Sequence, residues 1–408
     1  MKRDPRDTTI APTLAGAASA DGSGANQPLT LLQKIYTQVV PRLAASRVAW
    51  LMLLAILILC SASLIAVHIC GRGLLWRQQV HILVGFAIFL AALVPKPRQI
   101  ASYAYLIYPI SILLLMAVLL ARAIKGSHRW FILPGGVDFQ PSELAKIAFV
   151  LAVSWYLRLG RDMQQLRSLI VPFIFMAIPM ALVVIEPDLG TALMFPVVLY
   201  AMLISAGARI RHLVAIALIA VAVAPGCYPL LHRYQQQRIL SMFTFSKPTA
   251  HQLNGNLYQK QQSEIAEGSG GINGQGLRGT TAIRHGLLPE ASNDFIFAVV
   301  ASQFGLVGGL AVIALYILFF SACLEIADQS NDVLGRVMVV GLSTMIITQA
   351  TINIGMTTGI IPVVGITLPF MSYGGSAMAA DMLATSLILN VALRDRRSVT
   401  RTGSSGRG

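Results

Sequence analysis

The chain has 408 residues, of which 55% are hydrophobic and only 12% are charged, and its mean hydropathy is +0.69. An average soluble domain carries charge on about a quarter of its residues, so this composition excludes an ordinary soluble protein. Repeated apolar runs of bilayer length predict an all-α, polytopic integral membrane protein. The net charge of +14 is explained by basic residues beside the membrane spans, where they meet anionic membrane lipids. The sequence shows no stripe of alternating aromatic and basic residues of the kind that binds nucleic acid.

Residues 1–47 are predicted to form a partly disordered N-terminal tail. Residues 1–27 are rich in Gly, Ala, Ser and Asp, a composition that cannot build an apolar core. Residues 29–47 place apolar side chains near helical spacing and predict a short helix on the inner membrane surface. The first apolar run is of full length and follows polar, basic sequence, so no cleavable signal peptide is predicted.

Ten apolar runs predict ten transmembrane helices in one membrane domain, residues 48–395. The runs are 48–70, 79–95, 101–124, 141–158, 168–186, 189–206, 211–231, 294–322, 335–357 and 373–393. An even number places both termini on one side, and the short loops of that side carry Lys96, Arg98, Arg158, Arg161, Arg167, Arg209, Arg211, Arg394, Arg396 and Arg397. The positive-inside rule makes that side, with the C-terminal tail 396–408, cytoplasmic. Residues 232–293 then form a large extracytoplasmic loop between the seventh and eighth spans, of a length that usually carries function.

Glu143 and Lys146 are charged side chains inside the fourth predicted span. Pro141 suits the first position of a helix, and Glu143 complements the positive end of that helix. Residues three apart share a helix face, so the two side chains are expected to pair inside the bundle. The pair either serves a functional cavity or only fixes helix packing.

Two carboxylates and two guanidinium groups are predicted at the outer membrane edge. Glu186 and Asp188 flank Pro187 between two apolar runs. They suit a divalent cation or a substrate hydroxyl, and equally a cap on the sixth span. Arg129 and Arg238 lie in the outer loops, where guanidinium groups suit bidentate phosphate recognition; anchoring to lipid headgroups is the alternative.

Two irregular stretches are rich in glycine or proline. Residues 268–276 hold five glycines but lack the Gly-Lys-Ser/Thr of a phosphate-binding loop, so we expect a hinge or a close backbone approach to a ligand. Residues 353–376 form a broken apolar stretch, and such backbone is tolerated in a membrane only against protein or water. This stretch is therefore predicted to line a cavity. Asp381, inside the last span, is expected to have a buried partner.

Asp294 lies where the long polar loop turns into the eighth apolar run. A carboxylate at such a boundary is partly desolvated, which tends to raise its pKa and make it a better base. Capping of the following helix is the alternative interpretation. The cysteines lack CxxC spacing and the loop histidines lack ligand spacing, so no metal site is predicted from them.

Eight short motifs occur in order along the chain. They are Gly126–Trp130, Gln140–Lys146, Pro187–Thr191, Tyr234–Arg238, Gly268–Gly271, Leu288–Glu290, Asp294–Ala298 and Pro369–Ser376. Together they resemble the SEDS (shape, elongation, division and sporulation) family of RodA-like and FtsW-like peptidoglycan polymerases, over roughly residues 48–395. The sequence of residues 353–356 and 362–365 looks more RodA-like, which implies cell elongation over septation.

The resemblance implies a ten-span glycosyltransferase that uses lipid II. The family's essential aspartate corresponds to Asp294, its outer-face arginine to Arg129 and its buried lysine to Lys146. The motifs add four further candidate substrate-binding residues, which are Glu290, Ser372, Tyr373 and Gly374. The chain departs from the family at Ser292-Asn293, where His-Thr is frequent, and at Ser302-Gln303, where Glu-Glu is frequent.

The function implied by the resemblance is polymerisation of lipid II into glycan strands, with inversion at the anomeric carbon and release of undecaprenyl pyrophosphate. A class B penicillin-binding transpeptidase and the elongation or division machinery are the implied partners. No cofactor is required by the pattern, and a divalent cation, Mg²⁺ or Mn²⁺, is a candidate helper. The alternatives are a lipid II flippase, a division-specific polymerase and a non-catalytic scaffold.

Overall fold

The computed structural model describes residues 46–120, 129–133, 137–160, 162–227, 256–276 and 286–394, with positions 229, 236 and 283. Arg238, most of the predicted N-terminal tail and the C-terminal tail lie outside these residues. The helices within them are α1 (Arg47–Cys70), α2 (Arg72–Ala92), α3 (Pro97–Ser102), α4 (Ala104–Leu119), α5 (Pro141–Leu157), α6 (Leu166–Ile185), α7 (Leu189–Ser205), α8 (Ile210–Cys227), α9 (Asn256–Gly270), α10 (Ile296–Gln329), α11 (Val333–Thr357) and α12 (Gly375–Arg394). Strands β1 (Phe131–Leu133) and β2 (Val137–Phe139) form an antiparallel hairpin that pairs Phe131 with Phe139.

The predicted spans are confirmed as helices. Each of the ten apolar runs overlaps one of the longer helices, and the shortest of these, α4, has 16 residues. Among the described helices, α1, α2, α6, α10, α11 and α12 are long and apolar enough to cross a bilayer, and α4, α7 and α8 are shorter apolar helices. The protein is therefore a polytopic helical membrane protein. The β-hairpin was not predicted, because strands of three residues are too short to show alternation.

Side chains that fold back onto the backbone begin three of the membrane helices. The Ser46 hydroxyl accepts a hydrogen bond from the N–H of Ala49 at the start of α1. Asp188 caps α7 in the same way, and Asp332 caps α11. Asp332 also pairs with Arg98, whose guanidinium lies 2.9 Å away. Each cap satisfies N–H groups that have no partner within the helix.

The bundle has central and peripheral helices. In the apolar 18-residue stretch of α12, 83% of the residues are buried inside the protein, whereas in the corresponding stretch of α2 only 17% are buried. α12 packs mainly on α2 and α11, α10 packs on α1 and α11, and α5 is buried along almost its whole length. Polar residues on α5, α11 and α12 therefore face protein, and polar groups in such surroundings need partners.

α10 is broken near its beginning. Its 34 residues would measure about 51 Å as a straight helix, far more than the roughly 30 Å of a hydrocarbon core. Gly305 interrupts the helix with φ 64° and ψ −160°, backbone angles that only glycine adopts readily. The break divides α10 into a short segment, residues 296–304, and a span of bilayer length, residues 306–329.

The glycine-rich segment after α9 satisfies the backbone groups that the break exposes. The N–H of Gln275 donates to the carbonyl of Ser302, and the N–H of Leu306 donates to the carbonyl of Gly271, at 3.0 and 2.9 Å. A Cβ at position 274 would lie 2.1 Å from the Gln303 carbonyl oxygen. The close backbone approach that the glycines predicted is therefore made to the broken helix α10.

Gly274→Ala is expected to destabilise the protein much more than Gly276→Ala. Both glycines have positive φ, 79° and 68°, so each substitution carries a left-handed penalty of about 1–2 kcal/mol. Only position 274 also forces a clash with backbone, since no described residue lies within 4 Å of a Cβ at position 276. Thermal unfolding of the detergent-solubilised variants measures the difference, and equal midpoints would contradict the packing.

Candidate active site

Asp294 lies in a tight turn just before α10. The carbonyl of Glu290 accepts hydrogen bonds from the N–H groups of Asn293, Asp294 and Phe295, at 3.0, 3.1 and 3.3 Å. The amide of Asn293 donates to the Glu290 carboxylate at 2.7 Å. Phe295 occupies the N-cap position of α10 and makes no side-chain cap hydrogen bond. The structure thus places the cap at Phe295 and leaves Asp294 in the turn before it, half-buried.

The turn is fastened to the irregular segment before α12. The Ser372 hydroxyl donates to the carbonyl of Asn293 at 2.5 Å, and the N–H of Tyr373 donates to the carbonyl of Ser292 at 2.8 Å. The Tyr373 ring lies 5.2 Å from the His81 ring of α2. Of the four candidate motif residues, Glu290, Ser372 and Tyr373 therefore belong to the same structural unit as Asp294, and Gly374 directly follows Tyr373.

A second irregular segment, residues 358–368, passes directly beside Asp294. A Cβ built at Gly365 would lie 3.3 Å from Oδ2 of Asp294. The amide of Asn353 donates one hydrogen bond to the Asp294 carbonyl and another to the Ile366 carbonyl, at 2.8 and 2.6 Å. Because Ile366 also packs against Gly190 at the start of α7, this segment lies between α7 and Asp294.

An apolar cavity of 490 Å³ lies beside this unit, between α1, α2 and α12. It is lined by Leu53, Ile56, Leu57, Cys60, Leu64, Gln79, Ile82, Leu83, Phe86, Phe89 and Met382. None of residues 353–376 is among these lining residues, so the cavity predicted at that stretch stays a prediction. Part of the stretch packs on protein: the Ser63 hydroxyl donates to the Met371 carbonyl, and the Gln78 amide donates to the Ser372 carbonyl.

Arg129, Glu186 and Asp188 form a second cluster, at the turn between α6 and α7. The Nε of Arg129 donates to the carbonyl of Glu186 at 3.0 Å, and its Nη2 donates to the carbonyl of Pro187. Nη1 lies 4.0 Å from the Asp188 carboxylate. In this structure the guanidinium therefore binds the end of α6, and phosphate recognition by Arg129 stays a prediction.

The two carboxylates of this cluster have different environments. Asp188 accepts hydrogen bonds from the N–H and the hydroxyl of Thr191, at 3.2 and 3.0 Å, so its capping role is confirmed. Glu186 is fully buried, and among the residues that the structure describes neither carboxylate oxygen has a hydrogen-bond partner. Burial, together with the Asp188 carboxylate, raises the pKa of Glu186 from 4.5 to about 8, and Arg129 opposes the rise.

A divalent cation needs more ligands than these two carboxylates supply, six or more oxygens for Ca²⁺ and an octahedral set for Mg²⁺. Both Asp188 oxygens already accept hydrogen bonds from Thr191, and the cation at this pair stays a prediction. Among the described residues, no group of three or more His, Cys, Asp or Glu side chains lies close enough to hold a metal.

Lys146 forms a third cluster inside the bundle. Its ammonium lies 3.0 Å from the Glu143 carboxylate and 3.0 Å from the Gln349 side-chain oxygen, so the predicted pair is confirmed. The amide of Gln349 in turn donates to the carbonyl and hydroxyl of Thr367. Lys146 is only 4% exposed, so in this structure it reaches the segment beside Asp294 through Gln349, and direct substrate binding stays a prediction.

Sequence reasoning missed the two amides of α11. Gln349 and Asn353 are four residues apart, share one helix face and both hold the segment around Thr367. The available signal was two amide side chains in an otherwise apolar run, because such groups need buried partners. Asp381 does have a partner, the backbone N–H of Phe370, at 3.4 Å.

The fold and the clusters define a class: a polytopic membrane protein with a half-buried aspartate where broken helices meet. The profile of the FtsW/RodA/SpoVE family, described as "Cell cycle protein", matches residues 42–397. The chain therefore belongs to this family, which confirms the SEDS resemblance.

Several relatives are similar along most of the chain. The peptidoglycan glycosyltransferase MrdB of Escherichia coli K12 is 37% identical over 321 residues, which cover 78% of this chain and 85% of that protein. The probable peptidoglycan glycosyltransferase FtsW of Coxiella burnetii is 33% identical over 324 residues, with the same two coverages, 78% and 85%.

Solved structures share the fold. A chain described under "Structural coordination of polymerization and crosslinking by a peptidoglycan synthase complex" is 26% identical, with a TM-score of 0.72 over 84% of this chain and 97% of that one. The rod shape determining protein RodA of Thermus thermophilus is 25% identical, with a TM-score of 0.63 over 84% and 96% of the two chains.

Glu186→Gln is expected to raise thermal stability at alkaline pH but not at acidic pH. Since the pKa of Glu186 is raised to about 8, the folded protein retains a proton that the unfolded chain releases above pH 4.5. Stability contributed by the neutral acid is thus lost as pH rises between these values. Glutamine keeps the neutral shape, so the unfolding midpoints should match near about pH 5 and diverge by about pH 8.

The matched control is Glu264→Gln, because the Glu264 side chain is 48% exposed. Its effect on the unfolding midpoint should be the same at both pH values. A Glu186→Gln variant that gains nothing at alkaline pH would contradict a neutral Glu186.

Lys146→Met is expected to destabilise the protein by about 3–5 kcal/mol, because it leaves the Glu143 carboxylate buried without its cation. Combining it with Glu143→Gln removes that charge and should restore most of the loss. The free energy of unfolding in detergent measures both variants. A double variant as unstable as Lys146→Met would show that the charge pair is not the cause.

Proposed function

We propose that this protein is a peptidoglycan glycosyltransferase that polymerises lipid II into glycan strands at the outer face of the cytoplasmic membrane. The observation that carries the proposal is Asp294: a half-buried carboxylate in a turn that is fixed by the side chains of α11 and of the segment before α12. The names of the relatives MrdB and FtsW support the same activity.

Asp294 acts as the general base in this proposal. Its carboxylate accepts the proton of the 4-hydroxyl of the acceptor N-acetylglucosamine. The oxygen attacks the anomeric carbon of the donor N-acetylmuramic acid, and the bond from that carbon to the pyrophosphate oxygen breaks. Undecaprenyl pyrophosphate leaves with the bonding electrons, and the α linkage of the donor becomes a β linkage in the strand.

Positive charge near the site stabilises the leaving pyrophosphate, which gains negative charge as the bond breaks. Arg129 supplies one such charge at the α6–α7 turn, with its guanidinium 15% exposed. Arg238 is the second candidate. Lys146 acts indirectly: its ammonium binds Gln349, and Gln349 holds the segment beside Asp294.

The apolar cavity between α1, α2 and α12 is proposed to bind the polyprenyl tail of the substrate. Leu57, Leu83 and Phe86 line it and are also largely exposed at the membrane-facing surface, so the cavity is accessible from lipid. Gln79 lines the cavity while its neighbour Gln78 binds Ser372. A tail in the cavity would keep the sugars of the substrate at the level of Asp294.

The polymerase is proposed to work with a class B penicillin-binding transpeptidase, because glycan strands without crosslinks do not make a wall. The similar chain from a peptidoglycan synthase complex that coordinates polymerisation and crosslinking supports this partner. Similarity to MrdB and to RodA, a rod shape determining protein, supports a role in elongation. Both termini are proposed to be cytoplasmic, in line with the basic loops.

Asp294→Asn is expected to abolish glycan synthesis while the protein still folds and inserts. The amide keeps the shape of the carboxylate but cannot accept the proton, and loss of a general base lowers rates by about 10²–10⁴-fold. The assay is glycan formation from purified lipid II by the detergent-solubilised protein with its transpeptidase. Asp162→Asn is the matched control, because Asp162 is exposed in the loop before α6.

Normal glycan output from Asp294→Asn would exclude Asp294 as the base. Wild-type protein that moves lipid II across liposome membranes without forming polymer would favour a transporter. Intact, partner-bound wild type that does neither would favour a scaffold.

A further inference from the structure

Asn353 holds the two sides of the site together. Its side chain is fully buried on the last turns of α11. One N–H of its amide binds the carbonyl of Asp294 at 2.8 Å, and the amide also binds the carbonyl of Ile366 at 2.6 Å. A side-chain amide has two N–H donors, so both are used on these two residues.

The two carbonyls belong to opposite walls of the site. Asp294 carries the carboxylate, and Ile366 follows Gly365, whose backbone faces Oδ2 of that carboxylate. No covalent or helical connection joins these walls directly, because residue 294 precedes α10 and residue 366 follows α11. Two side chains bridge them: the Ser372 hydroxyl joins Leu368 to Asn293, and the amide of Asn353 joins Ile366 to Asp294 itself. Of the two, Asn353 binds the residue that carries the carboxylate and the residue next to Gly365.

We propose that Asn353 is a positioning residue for Asp294: it sets the distance between the general base and the segment formed by residues 365–367. This inference rests on the proposed polymerase function. Asn353 touches no reacting atom and acts through the backbone of Asp294. Gln349, one turn earlier, holds Thr367 in the same way and keeps the segment in register.

Other side chains cannot reproduce this bridge. Leucine has a similar shape and volume without donors, a serine hydroxyl has one donor, and glutamine carries both donors on an arm that is longer by about one carbon–carbon bond, ~1.5 Å. A displacement of about 1 Å in a reacting group lowers the rate by about 10²-fold. Position 353 should therefore affect the chemical step more than substrate binding.

Asn390 on α12 provides a matched control far from the site. It is also fully buried, and its amide bridges two carbonyls, those of Ala92 and Pro95, at 3.0 and 2.7 Å. Within the described part of the chain its side-chain oxygen has no hydrogen-bond partner, and the same holds for Asn353. The same substitution at the two positions removes two amide-to-carbonyl hydrogen bonds in each case, but only the substitution at position 353 affects Asp294.

The experiment compares Asn353→Leu and Asn390→Leu in full-length protein with its transpeptidase, using purified lipid II as the substrate. Initial rates over a range of lipid II concentrations give kcat and KM, and thermal unfolding in detergent gives the structural cost. Asn353→Leu should lower kcat by about 10–100-fold with KM within about threefold. Asn390→Leu should lower the unfolding midpoint similarly and leave kcat within about twofold.

Asn353→Gln keeps the proposal testable if the leucine variant does not fold. It retains both donors, so it should be nearly as stable as the wild type but still slower, with kcat reduced by about 10-fold. A Gln variant with wild-type kcat, or equal kcat losses in the two Leu variants, would overturn the positioning role alone. Absence of polymer from intact wild type would overturn the polymerase function, and the positioning role with it.

Discussion

The fold depends on one constraint: backbone N–H and C=O groups that leave a helix within a membrane protein must find partners in the protein itself. This chain breaks helical structure at Gly305 and again through residues 358–374. At the first break the partners are backbone groups of the segment 271–275. At the second they are side chains from distant helices, among them Ser63, Gln78 and Asn353.

The candidate active site is formed by these partners. Asp294 precedes the short first segment of α10. The amide of Asn353, which satisfies a carbonyl of the second break, also binds the carbonyl of Asp294 and so fixes the site. A continuous helix could not present a carboxylate beside the backbone of another segment in this way. The buried Lys146 cluster extends the same arrangement, because Gln349 joins the ion pair to the segment beside Asp294.

Local features of the structure could be predicted from the sequence, and long-range ones could not. Hydropathy placed the ten spans, spacing of three paired Glu143 with Lys146, and the polar residue before an apolar run placed the cap at Asp188. The partners of the broken segments lie far away in sequence: Ser63 binds a carbonyl 308 residues away. Periodicity carries no information about such contacts, so the apolar cavity between α1, α2 and α12 was not predicted.

The order of these partners along the chain has a consequence for biogenesis. Segment 271–275 is synthesised before Gly305, so the break in α10 meets its partner as soon as that helix is inserted. Asn353 and Ser372 are synthesised after Asp294, on or just before the last two helices. The turn that carries the carboxylate thus lacks the Asn353 and Ser372 hydrogen bonds until the final hairpin of the chain joins the bundle. A nascent or truncated chain without that hairpin would lack these two supports and also α12, one wall of the apolar cavity, so competence for polymerisation arises last in assembly.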